Sequence, residues 1–142
     1  MDEMVYREEY VKDLYQRLAT GIGVFDVKGD TLELRFLNDG YYKMLGSDRS
    51  RREQYFGKGT LLAIHPEDRE ELWKEVRASI AEHRICRLTC RICRDDGSYS
   101  WMGIQANHMP VGNGIERFYA SYVDLDAQKA AERAREEARQ NV

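Results

Sequence analysis

Cys86, Cys90 and Cys93 lie in a Cys-x3-Cys-x2-Cys cluster, and His65, His83 and His108 are the other soft or borderline ligands of the chain. Residues of these types at close spacing are the raw material of a metal or redox site. A strand alternates faces, however, so Cys86 and Cys90 point one way and Cys93 the other. No fourth cysteine and no histidine at finger-like spacing accompanies them, as a closed zinc site requires. The expectation is three small hydrophobes in a strand of a protein from a reducing compartment, with no metal. The histidines fall at a helix start, a helix end and a strand end, and none has an i, i+4 partner. His65 stands beside Glu67 and Asp68, but a histidine at a helix start reads as structural. Gly-x-Ser-x-Gly and Walker-type loops are absent. Gly21-Ile22-Gly23 enters a strand rather than a helix, unlike a dinucleotide loop. No convergent catalytic set can be assembled, so the expectation is a protein that is not an enzyme.

The elements that would position a site follow from periodicity. Met4, Val11, Leu14, Tyr15 and Leu18 recur at helical spacing among charges, predicting an amphipathic N-terminal helix within 1–20. Strands follow over 23–27 and 31–37, and clean alternation places Leu32, Leu34 and Phe36 on one buried face. A short helix over 39–45 is closed by Gly46. Residues 47–59 are polar, basic and glycine-punctuated, with Tyr55 and Phe56 as their only large apolar anchors. They read as a mobile stretch holding a short helical turn. Pro66 fits the first helical position, and Glu67 and Asp68 favour the positive end of the helix dipole. With Leu72, Trp73, Val76 and Ile80 at helix spacing, this predicts a helix over 66–83. Strands over 85–94, 99–108 and 115–123 come next. Asp96-Gly97 makes the first of their turns, a tight-hairpin signal, and 110–114 the second. From Asp126 the chain is rich in Ala, Arg and Glu and reads as helix. The expected fold class is α+β: a five-stranded antiparallel sheet with helices on one face, flanked by N- and C-terminal helices.

At 142 residues the chain is one domain's worth, long enough for a sizeable core. Its 42% hydrophobic and 33% charged residues describe an ordinary globular protein. A net charge of −3 gives no general attraction to nucleic acid or to an anionic membrane. No apolar run approaches the roughly 20 residues needed to span a bilayer. Residues 1–9 are acidic and lack the apolar core of a signal peptide, so a cytoplasmic location is expected.

One arrangement is more specific than any single motif. Ile64-His65-Pro66-Glu67-Asp68-Arg69 is followed by Arg94-Asp95-Asp96-Gly97-Ser98-Tyr99-Ser100-Trp101. Helix start, strand, tight turn and strand with an early Trp, in this order, resemble the second half of a PAS sensory domain. The match is closest to the subgroup carrying His-Pro-x-Asp-Arg and Asp-Gly-x-x-x-Trp. Asn38-Asp39-Gly40-Tyr41-Tyr42-Lys43-Met44-Leu45-Gly46 resembles the family's strand-ending Asn, short helix and Leu-Gly stop. Asp124-Leu125-Asp126 stands where the family usually has Asp-Ile-Thr before an output helix, and Ala120 at a position often held by Gly. The resemblance implies a sensory module over 21–125 and a signalling helix over 126–142. It also implies an output domain outside the chain, such as a diguanylate cyclase or a histidine kinase. Asp124 and Asp126 would relay the signal, with Asp126 capping the exit helix.

A sheet curled over short helices leaves a cavity, and such pockets are mostly apolar. The sheet side is expected to offer Leu32, Leu34 and Phe36 with some of Tyr119, Ser121 and Val123. The helical side would offer Tyr41, Tyr42, Leu45, Tyr55, Phe56, Leu61, Leu62, Trp73 and Val76. These residues hold a small ligand or simply fill a core; in the second case the protein is a ligand-free interaction and dimerisation module. The resemblance also weighs against cofactors. Flavin photoreceptors of the family need a Cys in an Asn-Cys-Arg-Phe-like helix start, which 56–64 lacks, and haem-binding relatives use a His inside the long helix. No cofactor is therefore expected. Ala127, Ala131, Ala134 and Ala138 form a heptad-like stripe. Val11, Leu14 and Leu18 need burial, and a homodimer through the N-terminal helices would supply it.

Overall fold

Five antiparallel strands carry the fold in the computed structural model, which describes residues 20–47 and 60–141. In chain order the elements are β1 (Gly21–Lys28), β2 (Thr31–Leu37), α1 (Asp39–Leu45), β3 (Cys86–Cys93), β4 (Tyr99–Gly112), β5 (Ile115–Asp124) and α3 (Asp126–Gln140). Between α1 and β3 come 3-10 turns at Thr60–Ala63 and Pro66–Asp68 and then α2 (Arg69–Ala81). The sheet order is β2-β1-β5-β4-β3. The expected α+β class and antiparallel sheet are thus observed, with α1 and α2 packed on one face. The expected helix within 1–20, including Val11, Leu14 and Leu18, and the side chains of Tyr55 and Phe56 lie outside the described residues.

Side-chain alternation sorts the sheet into a covered and an open face. Cys86, Cys90 and Ile92 of β3, Ser100, Met102, Ile104 and Ala106 of β4, and Phe118, Ala120 and Tyr122 of β5 are buried beneath the helices. Tyr41, Tyr42 and Leu45 of α1 and Leu72 and Val76 of α2 close over them. Phe25 stacks on Phe118 at 5.1 Å, and Tyr41 meets Tyr122 edge-on at 4.9 Å. The expected split of the cysteines holds: Cys86 and Cys90 are in the core, while Cys93 is half-buried.

Three expectations about the strands are corrected. Val24 pairs with Phe36 but Phe25 pairs with Leu34, so Arg35 is an extra residue in β2. This bulge reverses the alternation. Leu32, Leu34 and Leu37 face the core, and Phe36 goes to the open face beside Val24. In β5 the phase is opposite to the one expected: Tyr119 (44% exposed), Ser121 and Val123 (54%) are on the open face. Finally, β4 runs on to Gly112 rather than ending at His108, and its turn is the pair Asn113-Gly114 with φ of 56° and 73°. Both positive angles suit a primed hairpin turn. Pro110 is tolerated there because the β3 partner strand has already ended at Cys86, opposite Ala106.

Local chemistry explains the joints. Asn38 is fully buried: its Oδ1 accepts from Ile22 N (2.7 Å) and Tyr41 N (3.0 Å), and its Nδ2 donates to Thr20 O (2.9 Å). One side chain thereby caps α1 and pins it to the start of β1. At the β3–β4 turn, Gly97 N donates to Arg94 O (3.0 Å), and Gly97 holds φ +88°. The Asp96 carboxylate accepts from Ser98 N (2.9 Å). The turn expected at Asp96-Gly97 is present, in a loop one residue longer than a two-residue turn, with Arg94 N bonded to Ser98 O (2.7 Å).

Candidate functional site

The His-Pro-x-Asp-Arg segment is built as a clasp on the sheet edge. Pro66 opens a 3-10 turn, with His65 Nδ1 accepting from Glu67 N (3.1 Å), and the α-helix proper starts at Arg69. His65 N donates to Arg91 O (2.9 Å), and Arg69 Nε to Ile64 O (3.0 Å). Asp68 accepts from Arg91 three times: the backbone N at 2.8 Å, Nε at 3.0 Å and Nη2 at 2.8 Å. The Arg91 side chain holds the Asp68 carboxyl below its usual range, against the opposing effect of burial. Glu75 accepts from Arg87 N (2.8 Å) further along. Together these contacts satisfy much of the exposed edge of β3.

A second polar cluster gathers where the chain leaves the sheet. Met102 is opposite Asp124, the last residue of β5, so the Trp101 backbone has run past its partner strand. Leu125 N donates to Trp101 O (2.8 Å), and Trp101 N donates to Asp126 Oδ1 (2.8 Å). The junction thus supplies partners that the ended strand could not. Asp126 is therefore not the helix cap that the sequence suggests. It already belongs to α3, where a side chain cannot turn back to the next amides as a flanking residue's can. Asp124 does the local work instead, its Oδ1 accepting from Asp126 N (2.8 Å).

Three cations converge on this junction. Arg94 donates to Leu45 O at the end of α1 (2.9 Å) and reaches Asp126 (3.6 Å) and Asp124 (4.0 Å). The Arg91 guanidinium lies 5.0 Å from the Trp101 ring centroid and the Lys129 ammonium 5.1 Å from it. Beyond its root, α3 is exposed except at Lys129. The sequence singled out Asp124 and Asp126 but missed Arg91, Arg94 and Lys129. Their type was visible, but their convergence depends on strand register.

Beneath the helices lies the candidate ligand pocket. It is apolar and small, ≈ 30 Å³, and is lined among others by Phe25, Leu32, Tyr41, Leu61, Leu72, Val76, Ile92, Ile104 and Tyr122. Of the residues expected there, Leu32, Tyr41, Leu61 and Val76 line it. Leu34, Tyr42 and Leu45 are buried elsewhere in the core, and Trp73 packs half-buried against it under Arg77 (5.2 Å). Phe36, Tyr119 and Ser121 border an open-face groove of ≈ 240 Å³ instead. The side chain of Leu62 is not among those described. Burial pushes the Cys86 thiol up to about 11 and the Cys90 thiol to about 12, as expected of inert core thiols.

The histidines do not converge. His83 sits at the end of α2 with φ +54°, and His108 stacks on Phe118 (4.7 Å) with Nε2 near Arg84 O (2.8 Å). Among the described residues no group of three or more His, Cys, Asp or Glu is placed to hold a metal ion, and no helix is long and apolar enough to cross a membrane.

Comparison with known proteins agrees with this geometry. No curated protein matches the chain. Among solved structures it resembles an RNA-binding light-oxygen-voltage receptor (TM-score 0.73, 15% identity), covering 99% of this chain but 39% of the receptor. It also resembles the PAS domain of a protein from Colwellia psychrerythraea (0.69, 17%), covering 85% of this chain and 98% of that one. A third similar structure is a sensory box histidine kinase/response regulator from Burkholderia thailandensis (0.59, 17%, covering 95% and 96%). At such identities these likenesses speak for the fold. A family model described as the PAS fold matches residues 34–123, from the second strand to the end of the fifth, and the chain belongs to that family.

Proposed function

We propose that the chain is a non-catalytic sensory module of the His-Pro-x-Asp-Arg subgroup, relaying its state through α3 to an output domain. The observation that carries this reading is the root of α3. There Asp126 and Leu125 are bonded to β4, and Arg94 ties the same root to the end of α1. A change in how the helices sit on the sheet would therefore alter the bonds that hold the exit helix. A ligand or partner acts by preferring one arrangement, and it can shift the balance only by its differential affinity. Diguanylate cyclases and histidine kinases are the outputs proposed, in keeping with the kinase context of one similar structure. A cytoplasmic, homodimeric protein, with 1–20 and 126–142 flanking a 21–125 sensor, completes the proposal; three free thiols suit a reducing compartment.

The ≈ 30 Å³ cavity favours a second reading, in which the core is simply filled and the module serves protein contacts alone. Native mass spectrometry of the purified chain separates the two, since a retained small molecule supports a ligand sensor. For the relay, Asp126→Ala, which removes the acceptor for Trp101 N, should speed amide exchange along α3 while the sheet stays protected. If the α3 amides of the parent protein exchange as fast as an unfolded chain, the helix is not held and the relay reading fails.

A further inference from the structure

The two polar clusters meet on one side chain. Arg91 is gripped by Asp68 through three hydrogen bonds and reaches Glu67 at 3.2 Å, while its guanidinium lies 5.0 Å from the centroid of Trp101. Lys129, the only half-buried residue of α3 beyond its first, lies 5.1 Å from the same centroid. Two cations sharing one indole are at most about 10 Å apart, roughly one screening length at moderate salt. Their repulsion opposes the attraction each has for the ring. Carboxylates relieve it on both sides: Asp68 and Glu67 at Arg91, and Glu132 at 4.0 Å from Lys129.

We propose that α2 governs the docking of α3 through the charge balance at Trp101, with Asp68 neutralising Arg91 so that Lys129 can rest on the ring. Building on the relay reading, this adds a second arm. Arg94 brings the end of α1 to the root of α3, and Arg91 independently brings the start of α2 to its first turn. Asp68 is a positioning residue here, acting on Lys129 through Arg91 and Trp101. A displacement of the α2 start that loosens Asp68 leaves Arg91 with uncompensated charge beside the ring, and Lys129 is repelled. Glu67 is 75% exposed and makes one longer contact, so it contributes less.

Hydrogen exchange on the full chain tests the idea, with Phe118 and Met102 amides as reporters of whole-domain opening. In Asp68→Asn the α3 amides from Lys129 onward should exchange about 2- to 5-fold faster, the range of an exposed cation–π contact. Lys129→Gln should do the same. The double variant should be no faster than the faster single one, because both act on one contact. Should Asp68→Asn fail to fold, Glu67→Gln should give a smaller change in the same direction. Unchanged α3 exchange in the carboxylate variants, or effects that multiply in the double variant, would overturn the proposal. Asp126→Ala, which removes the acceptor for Trp101 N, separates the two readings: if it alone loosens α3, the relay stands and the Arg91 arm falls. If it too leaves α3 unchanged, the relay reading itself fails.

Discussion

The covered and open faces of the sheet are built from the same strands and differ in kind. Beneath the helices, Phe118, Met102, Ile92, Cys86 and Cys90 are each at most 1% exposed, and the space left over is ≈ 30 Å³. On the open face Tyr119 and Val123 stand about half in solvent, and charged contacts recur there: Asp26 with Arg35 and Arg117, and Trp101 with Arg91 and Lys129. Close packing makes the covered face intolerant of change in volume. The open face instead depends on groups whose attraction can be altered by charge. The fold is therefore set by packing on one side of the sheet, while the Trp101 ring and its cations meet α3 on the other.

The sharpest way to break this contrast is a pair of neighbours in β5. Phe118→Ala should cost about 3–5 kcal/mol of unfolding free energy by denaturant titration, the usual range for emptying a core aromatic site. Tyr119→Ala, one residue on, should stay within about 0.5 kcal/mol. Similar losses in both variants would mean that the open face is covered in solution.

Next in size is Asp26, a buried carboxylate on the otherwise open face. Its oxygens accept from Arg117 Nε (2.7 Å) and Nη2 (3.0 Å) and from Arg35 Nε (2.9 Å). Arg117 foremost, with Arg35 assisting against burial, holds its carboxyl below the usual value. A depressed pKa contributes stability that is full above the ordinary carboxylate value and is lost as pH falls through the folded-state value. Asp26→Asn should therefore cost about 2 kcal/mol at neutral pH and flatten the fall in stability below about pH 4. An acid limb as steep as the parent's would show that Asp26 is not the group titrating there.

Gly97→Val should cost about 1 kcal/mol or more, because φ +88° strains a β-branched residue whereas the space around it is open. An unchanged melting temperature would count against this turn. The smallest effect on stability, and the finest test of the faces, is thiol labelling under native conditions. Alkylation should reach half-buried Cys93 first, while Cys86 and Cys90 react only as the domain opens. Equal rates for all three would place β3 in the wrong phase.

Local signals carried most of the fold in the sequence. Gly46, Pro66 and Gly97 each declare a stop, start or turn through their own backbone chemistry, and all three do so in the structure, Pro66 as the opening of a 3-10 turn; the cap made by the Asn38 side chain went unread. The errors arose where one residue changes a period of two. Nothing in Leu32-Glu33-Leu34-Arg35-Phe36 announces that Arg35 bulges; the register shows only against the partner strand, where the bulged arginine bonds Asp26. In β5, Phe118 and Tyr119 are equally aromatic, and only pairing with Phe25 and Val24 tells inside from outside. The exit junction was half legible. Asp124-Leu125-Asp126 marked its place, but which aspartate serves the helix depends on an amide of Trp101, a tie across 25 residues.

Mechanically, α3 is a cantilever. It is clamped over its first turn and has no buried residue along the rest of its 15-residue length. At about 1.5 Å per residue its far end is some 20 Å from the root, so a tilt of roughly 10° there would sweep that end through about 4 Å. Displacements too small to disturb the core would thus arrive at Gln140 magnified, with direction set by which of the root's bonds had slackened.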